Sequence, residues 1–213
     1  LMDQSKIRSK SKLILSKNLN FNKNQINKIN LFVRNVLNFN KKYNLISKTT
    51  EKDIWMRHVL DSAQLIKHID SSRYNSLSDL GTGGGFPGII LAIYFSDILT
   101  FHVKLYEKSK IKVDFLNKQI NILGLKRVSI YDNDYQSHVL DSDYFVFRAF
   151  KKLPEILRIS RETIRGPHKM IIMMGKSAQD QLNKASKGTI NKYKLVPSIT
   201  SDDSKILLLD VKN

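Results

Sequence analysis

The stretch Asp79-Leu80-Gly81-Thr82-Gly83-Gly84-Gly85-Phe86-Pro87-Gly88 decides how this chain is read. It follows a short apolar segment at 77–80 and opens a helical one at 87–95, where Pro87 suits the first turn. A glycine motif carries weight only in such a strand–loop–helix setting. Gly81, Gly83 and Gly85 let the backbone turn tightly and let a ligand approach with no side chain in its way. The helix behind the loop offers free N–H groups and the positive end of its dipole. In folds of this kind the ligand lies beyond the carboxyl ends of the strands.

Outward from the loop, short apolar strands alternate with helices. Strands are expected at 77–80, 101–106, 128–131, 144–147 and 170–174. Helices are expected at 109–123, closed by Gly124, at 153–164, broken by Gly166-Pro167, and at 178–185. Two last strands, 193–196 and 206–211, come without a helix between them and suggest an antiparallel pair at one edge. This alternation implies an α/β fold, a central, mostly parallel sheet flanked by helices. Residues 71–213 then form a Rossmann-like domain, a single globular unit, and residues 1–70 an N-terminal helical extension packed on its core. In the extension, Ile26, Ile29, Phe32, Val33, Val36 and Leu37 recur at three- and four-residue spacing, with Asn22 or Asn24 able to cap the helix. A second amphipathic helix is expected at 55–69, carrying Val59, Leu60, Ala63 and Ile66 on one side.

Composition limits the function classes. No apolar run among the 213 residues approaches the roughly 20 needed to span a bilayer, and residues 1–12 are polar and basic, without the apolar core of a secretory signal. With no cysteine there are no disulfides, no thiolate metal sites and no cysteine nucleophile, which fits a cytoplasmic protein. His58, His68, His102, His138 and His168 show no ligand spacing, so no metal is expected. Lys and Arg number 36 against 19 Asp and Glu, a net charge of +17. Such an excess points to a polyanionic partner, because cations bound to phosphates release condensed counterions. Compositional drift toward Lys, Asn and Ile offers a blander account. If the partner is nucleic acid, Lys6, Arg8, Lys10, Lys12, Lys41, Lys42, Lys151 and Lys152 are candidate contacts, and Tyr43 and Trp55 are candidate stacking residues or core.

The loop alone leaves its ligand open. Gly83, Gly85 and Gly88 fit the spacing of a dinucleotide fingerprint. Asp79 instead completes Asp-x-Gly-x-Gly, which looks like the pattern of Rossmann-like methyltransferases, whose cofactor carries an amino acid and no phosphate. There Asp79 would help hold the cofactor's positive methionine end. Glu107 lies 24 residues after Gly83, where an acid grips ribose hydroxyls in such folds; otherwise it is a solvated carboxylate beside Lys108 and Lys110. Arg148 follows the apolar strand and faces the crevice, or else pairs with Asp141 or Asp143. His58, Asp61 and Ser62 share about one helical face, which borders the active-site mouth or serves helix packing; His58 and Asp61 are the catalytic candidates.

Five blocks in order carry a resemblance: Asn40-Lys41-Lys42-Tyr43-Asn44-Leu45, Arg57-His58-Val59-Leu60-Asp61-Ser62, the loop 79–88, Phe115-Leu116, and Phe147-Arg148-Ala149-Phe150. On them the chain resembles the RsmG (glucose-inhibited division protein B) family of bacterial methyltransferases. The resemblance implies a Rossmann-like class I fold and an S-adenosyl-L-methionine cofactor. It implies a guanine of 16S ribosomal RNA, in free RNA or the small ribosomal subunit, methylated at ring nitrogen seven. It implies cofactor contacts at Gly81, Phe86, Glu107, Tyr135, Gln136 and Arg148, beside Asp79 and Gly83 from the loop itself. A monomer acting off the membrane is expected, and a catalytically silent RNA-binding or ribosome-assembly protein is the alternative. The chain departs from the family pattern at Asp134, often a basic residue, and at Met174-Gly175-Lys176, where Met174 replaces a lysine.

Overall fold

The computed structural model describes residues 4–185 and 193–212; residues 1–3 of the basic N-terminal segment lie outside them. One seven-stranded sheet runs in the order β3-β2-β1-β4-β5-β7-β6. Its strands are β1 (Ser76–Leu80), β2 (His102–Tyr106), β3 (Val128–Tyr131), β4 (Tyr144–Arg148), β5 (His168–Met174), β6 (Tyr193–Pro197) and β7 (Lys205–Val211). The first five pair in parallel, and β7 is antiparallel to both β5 and β6, as the missing helix between the last two strands suggested. Chain order reverses at β1, between β2 and β4, so a crevice opens at the carboxyl ends of these strands.

The helices are α1 (Gln4–Asn18), α2 (Lys23–Asn40), α3 (Lys48–Glu51), α4 (Asp61–Ala63), α5 (Gly88–Phe95), α6 (Lys110–Leu123), α7 (Leu153–Glu162) and α8 (Ala178–Ala185). Asn22, not Asn24, caps α2: its side chain accepts from the Gln25 amide, and the Gln25 side chain accepts from the Asn22 amide, a reciprocal capping box. Gly124 ends α6 in the left-handed conformation, φ 62°. No helix among the described residues is long and apolar enough to cross a membrane.

The expected helix at 55–69 is broken instead into a wide π-helical turn, Trp55–Leu60, then α4, then a tight 3₁₀ segment, Gln64–His68. A regular 3.6-residue period puts one stripe on a core. Here Val59, Leu60, Ala63 and Leu65 are all at most 1 % exposed, so the segment is buried on more than one side. The wide turn leaves the carbonyl of Arg57 available to Arg148, and π turns of this kind recur at functional sites.

The N-terminal helices and the sheet share one core. Leu15, Ile29, Phe32 and Val36 from α1 and α2 belong to the same apolar cluster as Leu77, Ile90, Val103 and Val146. A second cluster, with Phe145, Phe147, Ile156 and Ile172, lies under α7 and α8. α1 is held by cations as well as by apolar contact: Arg8 and Lys12 both sit 5.6 Å from the ring of Trp55, which is buried at 7 % exposure. Phe32 is fully buried and tilts against Phe86 of the glycine loop at 5.2 Å. Phe32→Ala should therefore cost roughly 3–5 kcal/mol of global stability in denaturant unfolding. An unchanged midpoint would mean that the helical layer is only appended to the sheet.

Candidate active site

The glycine loop is closed from behind by a buried carboxylate. Asp79, 1 % exposed, accepts the Gly88 N–H at 2.8 Å through Oδ2, which ties the strand end to the start of α5. Gly88 leaves no room for anything else: a Cβ there would lie 2.3 Å from Leu105 and 2.7 Å from Asp79 Oδ2. Asp79 thus faces the protein behind the loop and not the crevice in front of it. Of the loop glycines, Gly83 is the one that fits close approach of a ligand. Its φ is +59°, and an added Cβ would meet only the Gly81 carbonyl oxygen, 3.9 Å away.

In front of the loop lies a cavity of about 600 Å³, within the range of cofactor pockets. Gly81, Gly83 and Phe86 line it with Glu107 and Arg148, five residues that the sequence singled out. Glu107 directly follows β2, which pairs with β1, and is 8 % exposed. Its Oε2 accepts the Gly83 N–H at 3.0 Å and its Oε1 the Ser109 N–H at 2.8 Å. An ionised carboxylate has about four acceptor sites, so two bonds leave capacity for the hydroxyls of a ribose. The residues present fit an S-adenosylmethionine molecule on that count, and on the open face of Gly83.

Arg148, at the carboxyl end of β4, gathers the other wall. Its Nη2 donates to the Arg57 carbonyl at 2.8 Å, its Nη1 to His58 Nδ1 at 3.2 Å, and its Nε faces Asp61 Oδ2 at 3.4 Å. The alternative partners suggested for it are engaged elsewhere. Asp141 pairs with Lys104 at 2.6 Å, and Asp143 accepts the Asn75 and Ser76 amides. His58 and Asp61 meet through Arg148 rather than each other. Because His58 Nδ1 accepts, its proton sits on Nε2 and is donated to Thr50 Oγ1 at 2.8 Å; Thr50 donates onward to the Ser47 carbonyl at 3.0 Å. Burial first, then the charges of Arg148 and Arg57, drive the His58 imidazole down to about 3. At that value it is neutral near pH 7, with Nδ1 facing Arg148. Ser62, the third residue of that face, is buried and outside the cavity wall.

Other expected contacts stand apart. Tyr135 packs edge-on against Phe150 at 5.5 Å, and Gln136 is exposed; neither lines the cavity. Asp134 caps that turn by accepting the Gln136 amide at 3.1 Å. Met174 lines the cavity, whereas Lys176 points away to Asp203 at 3.1 Å. Sequence reasoning missed Thr50, Lys112, Ser198, Ser204, Lys205 and Ile206, which also line the cavity. They carry no motif, and only the tertiary fold delivers them. Among the described residues, no three His, Cys, Asp or Glu side chains converge as a metal site would need.

A parallel sheet with one reversed strand beside its fifth member, a glycine loop after β1 and an acid after β2 define a class I S-adenosylmethionine-dependent methyltransferase fold. Solved structures agree on the fold. The chain is similar to a putative O-methyltransferase from Klebsiella pneumoniae (TM-score 0.61, 11% identity, 99% of each chain covered). It is also similar to a SAM dependent methyltransferase from Aquifex aeolicus (TM-score 0.56, 14% identity, 72% of this chain and 90% of that one). Sequence goes further: the family described as rRNA small subunit methyltransferase G matches residues 25–207, and the chain belongs to that family. It is 36% identical over 201 residues to ribosomal RNA small subunit methyltransferase G of Pelagibacter ubique, covering 93% of each. Against the Rickettsia akari protein of the same name it is 32% identical, covering 85% of this chain and 92% of that one.

Burial pushes the Asp79 carboxyl up to about 6, against the Gly88 N–H bond that favours its ionised form. A folded-state value above the unfolded one, 3.8, contributes stability that is full below 3.8 and lost as pH rises through about 6. Asp79→Asn keeps a carbonyl acceptor for Gly88 without the buried charge. It should melt at pH 7 no lower than the wild type, with its relative advantage shrinking as pH falls toward 4. A markedly lower melting temperature at pH 7 would show that the ionised carboxylate is needed.

Proposed function

We propose that this chain transfers a methyl group from S-adenosylmethionine to ring nitrogen seven of a guanine in 16S ribosomal RNA, acting in the cytoplasm as a monomer without a metal. Family membership across residues 25–207 is the observation that carries the reading. The intact Gly83–Glu107 and Arg148 walls favour an enzyme over a silent RNA-binding protein. The net charge of +17 suits an RNA substrate.

When bound, S-adenosylmethionine supplies a methyl group made electrophilic by a positive sulfur. The chain's own part is to bind, orient and exclude water. Glu107 accepts from the ribose, and Gly83 allows the backbone to approach it. Arg148 has two N–H donors left after its three protein partners, enough for a carboxylate on the cofactor's amino acid end. Nitrogen seven of guanine has a free lone pair and no proton, so no general base is needed. A neutral His58 agrees with that chemistry. Alignment of acceptor and methyl group can account for roughly 7–11 kcal/mol of barrier lowering.

The test is methyl transfer from labelled S-adenosylmethionine to small subunits and free rRNA lacking the modification, with the labelled base mapped. Label on a guanine ring nitrogen is expected; none on rRNA, despite cofactor binding, would point to another acceptor. Glu107→Ala should weaken S-adenosylmethionine binding about 10- to 100-fold in titration calorimetry, the worth of one or two hydrogen bonds to a charged group. Between pH 6 and 8 the rate should show no inflection from a histidine, and a slope of one through pH 6.5 would restore His58 as a base.

A further inference from the structure

The cavity is wider than the half that the glycine loop and Glu107 serve. Across it the sheet presents β2, β1, β4, β5 and β7 in turn. Neighbouring strands lie about 4.8 Å apart, so the ends of β2 and β7 are separated by roughly 19 Å. Lys205 opens β7 as the cross-strand partner of Met174, the last residue of β5, and both line the cavity. The residue is half-buried, its ammonium donates to the Asp202 carbonyl at 3.2 Å in an exposed bond, and no carboxylate pairs with it among the described residues. The turn before it, residues 198–204, is fastened to the site by two side chains, the Asp61 carboxylate and the Gln64 amide. Thr200 Oγ1 donates to Asp61 Oδ1 at 2.7 Å. Gln64 Nε2 donates to the same oxygen and to Ser198 Oγ, both at 3.0 Å, while the Ile199 N–H donates to Gln64 Oε1 at 2.9 Å. The other oxygen of Asp61 is the one facing Arg148.

The geometry assigns this turn as the acceptor-side wall of the site, with Lys205 contacting a backbone phosphate of the acceptor nucleotide and Thr200 as a positioning residue acting through Asp61. The assignment rests on the RNA reading above. A lysine ammonium is a compact point charge with three donors, suited to phosphate. The guanine ring gains positive charge in the reaction, so a cation is better placed on the phosphate than on the ring. Thr200 holds the turn at the distance Arg148 sets, because both use one carboxylate.

The test compares Lys205→Gln, Thr200→Val and Thr200→Ser with the wild type, in methyl transfer to small subunits and in S-adenosylmethionine binding. Lys205→Gln should raise the KM for the RNA substrate about tenfold, leave kcat within about threefold and leave cofactor affinity unchanged. The salt slope of RNA binding should fall by about one phosphate contact, 0.7–0.9 in log–log units. Thr200→Val should lower kcat/KM for RNA five- to tenfold at constant cofactor affinity, and Thr200→Ser should restore it. An unchanged KM and salt slope for Lys205→Gln overturns the assignment, as does weakened cofactor binding. If the wild type methylates no rRNA, the broader reading has failed; the salt slopes of the two proteins on rRNA then still decide the role of Lys205.

Discussion

The hydrogen bond from the Gly88 amide to the buried Asp79 carboxylate is the constraint on which the site depends. It joins the end of β1 to the start of α5 across the loop and fixes the path of every residue between them. Leu105 and Asp79 fill the space a side chain at Gly88 would need, so only glycine fits where the loop enters α5. Its outer curve then presents Gly83 to the crevice, and the Gly83 amide meets Glu107. Asp79 thus ties the loop from behind, while Gly83 and Glu107 line the crevice.

Arg148 does for the other wall what Asp79 does for the loop. It receives a carbonyl, an imidazole nitrogen and a carboxylate from one broken helix, binding the N-terminal layer to the end of β4. A guanidinium suits this work, because its planar fork serves several acceptors at once and stays charged. Placing a cation there also keeps His58 neutral, which suits a reaction with no proton to remove.

Most of the fold was legible in the sequence. Alternating strands and helices from residue 77 on, the capping Gly124 and the missing helix before β7 are local signals, and local chemistry decides them. The break at 55–68 was not legible. Periodicity records which side is apolar, and this segment is buried on several sides, with a π turn set by a partner 90 residues away. At the site, Gly81, Gly83, Phe86, Glu107 and Arg148 were readable because motif and strand end place them. The bond from Gly88 to Asp79 was not, since direction relative to the loop is a tertiary property. Lys205 was invisible for the same reason: it reaches the cavity through the antiparallel return of β7, which no motif marks, and Thr200 meets Asp61 only in the fold.

α1 and α2 share an apolar core with the sheet, and helices that unfold with the sheet belong to its cooperative unit. A ligand that binds only the folded state stabilises whatever unfolds together with its site. Helices that touch no cofactor therefore inherit its protection, and their amides should exchange with solvent more slowly when S-adenosylmethionine is bound.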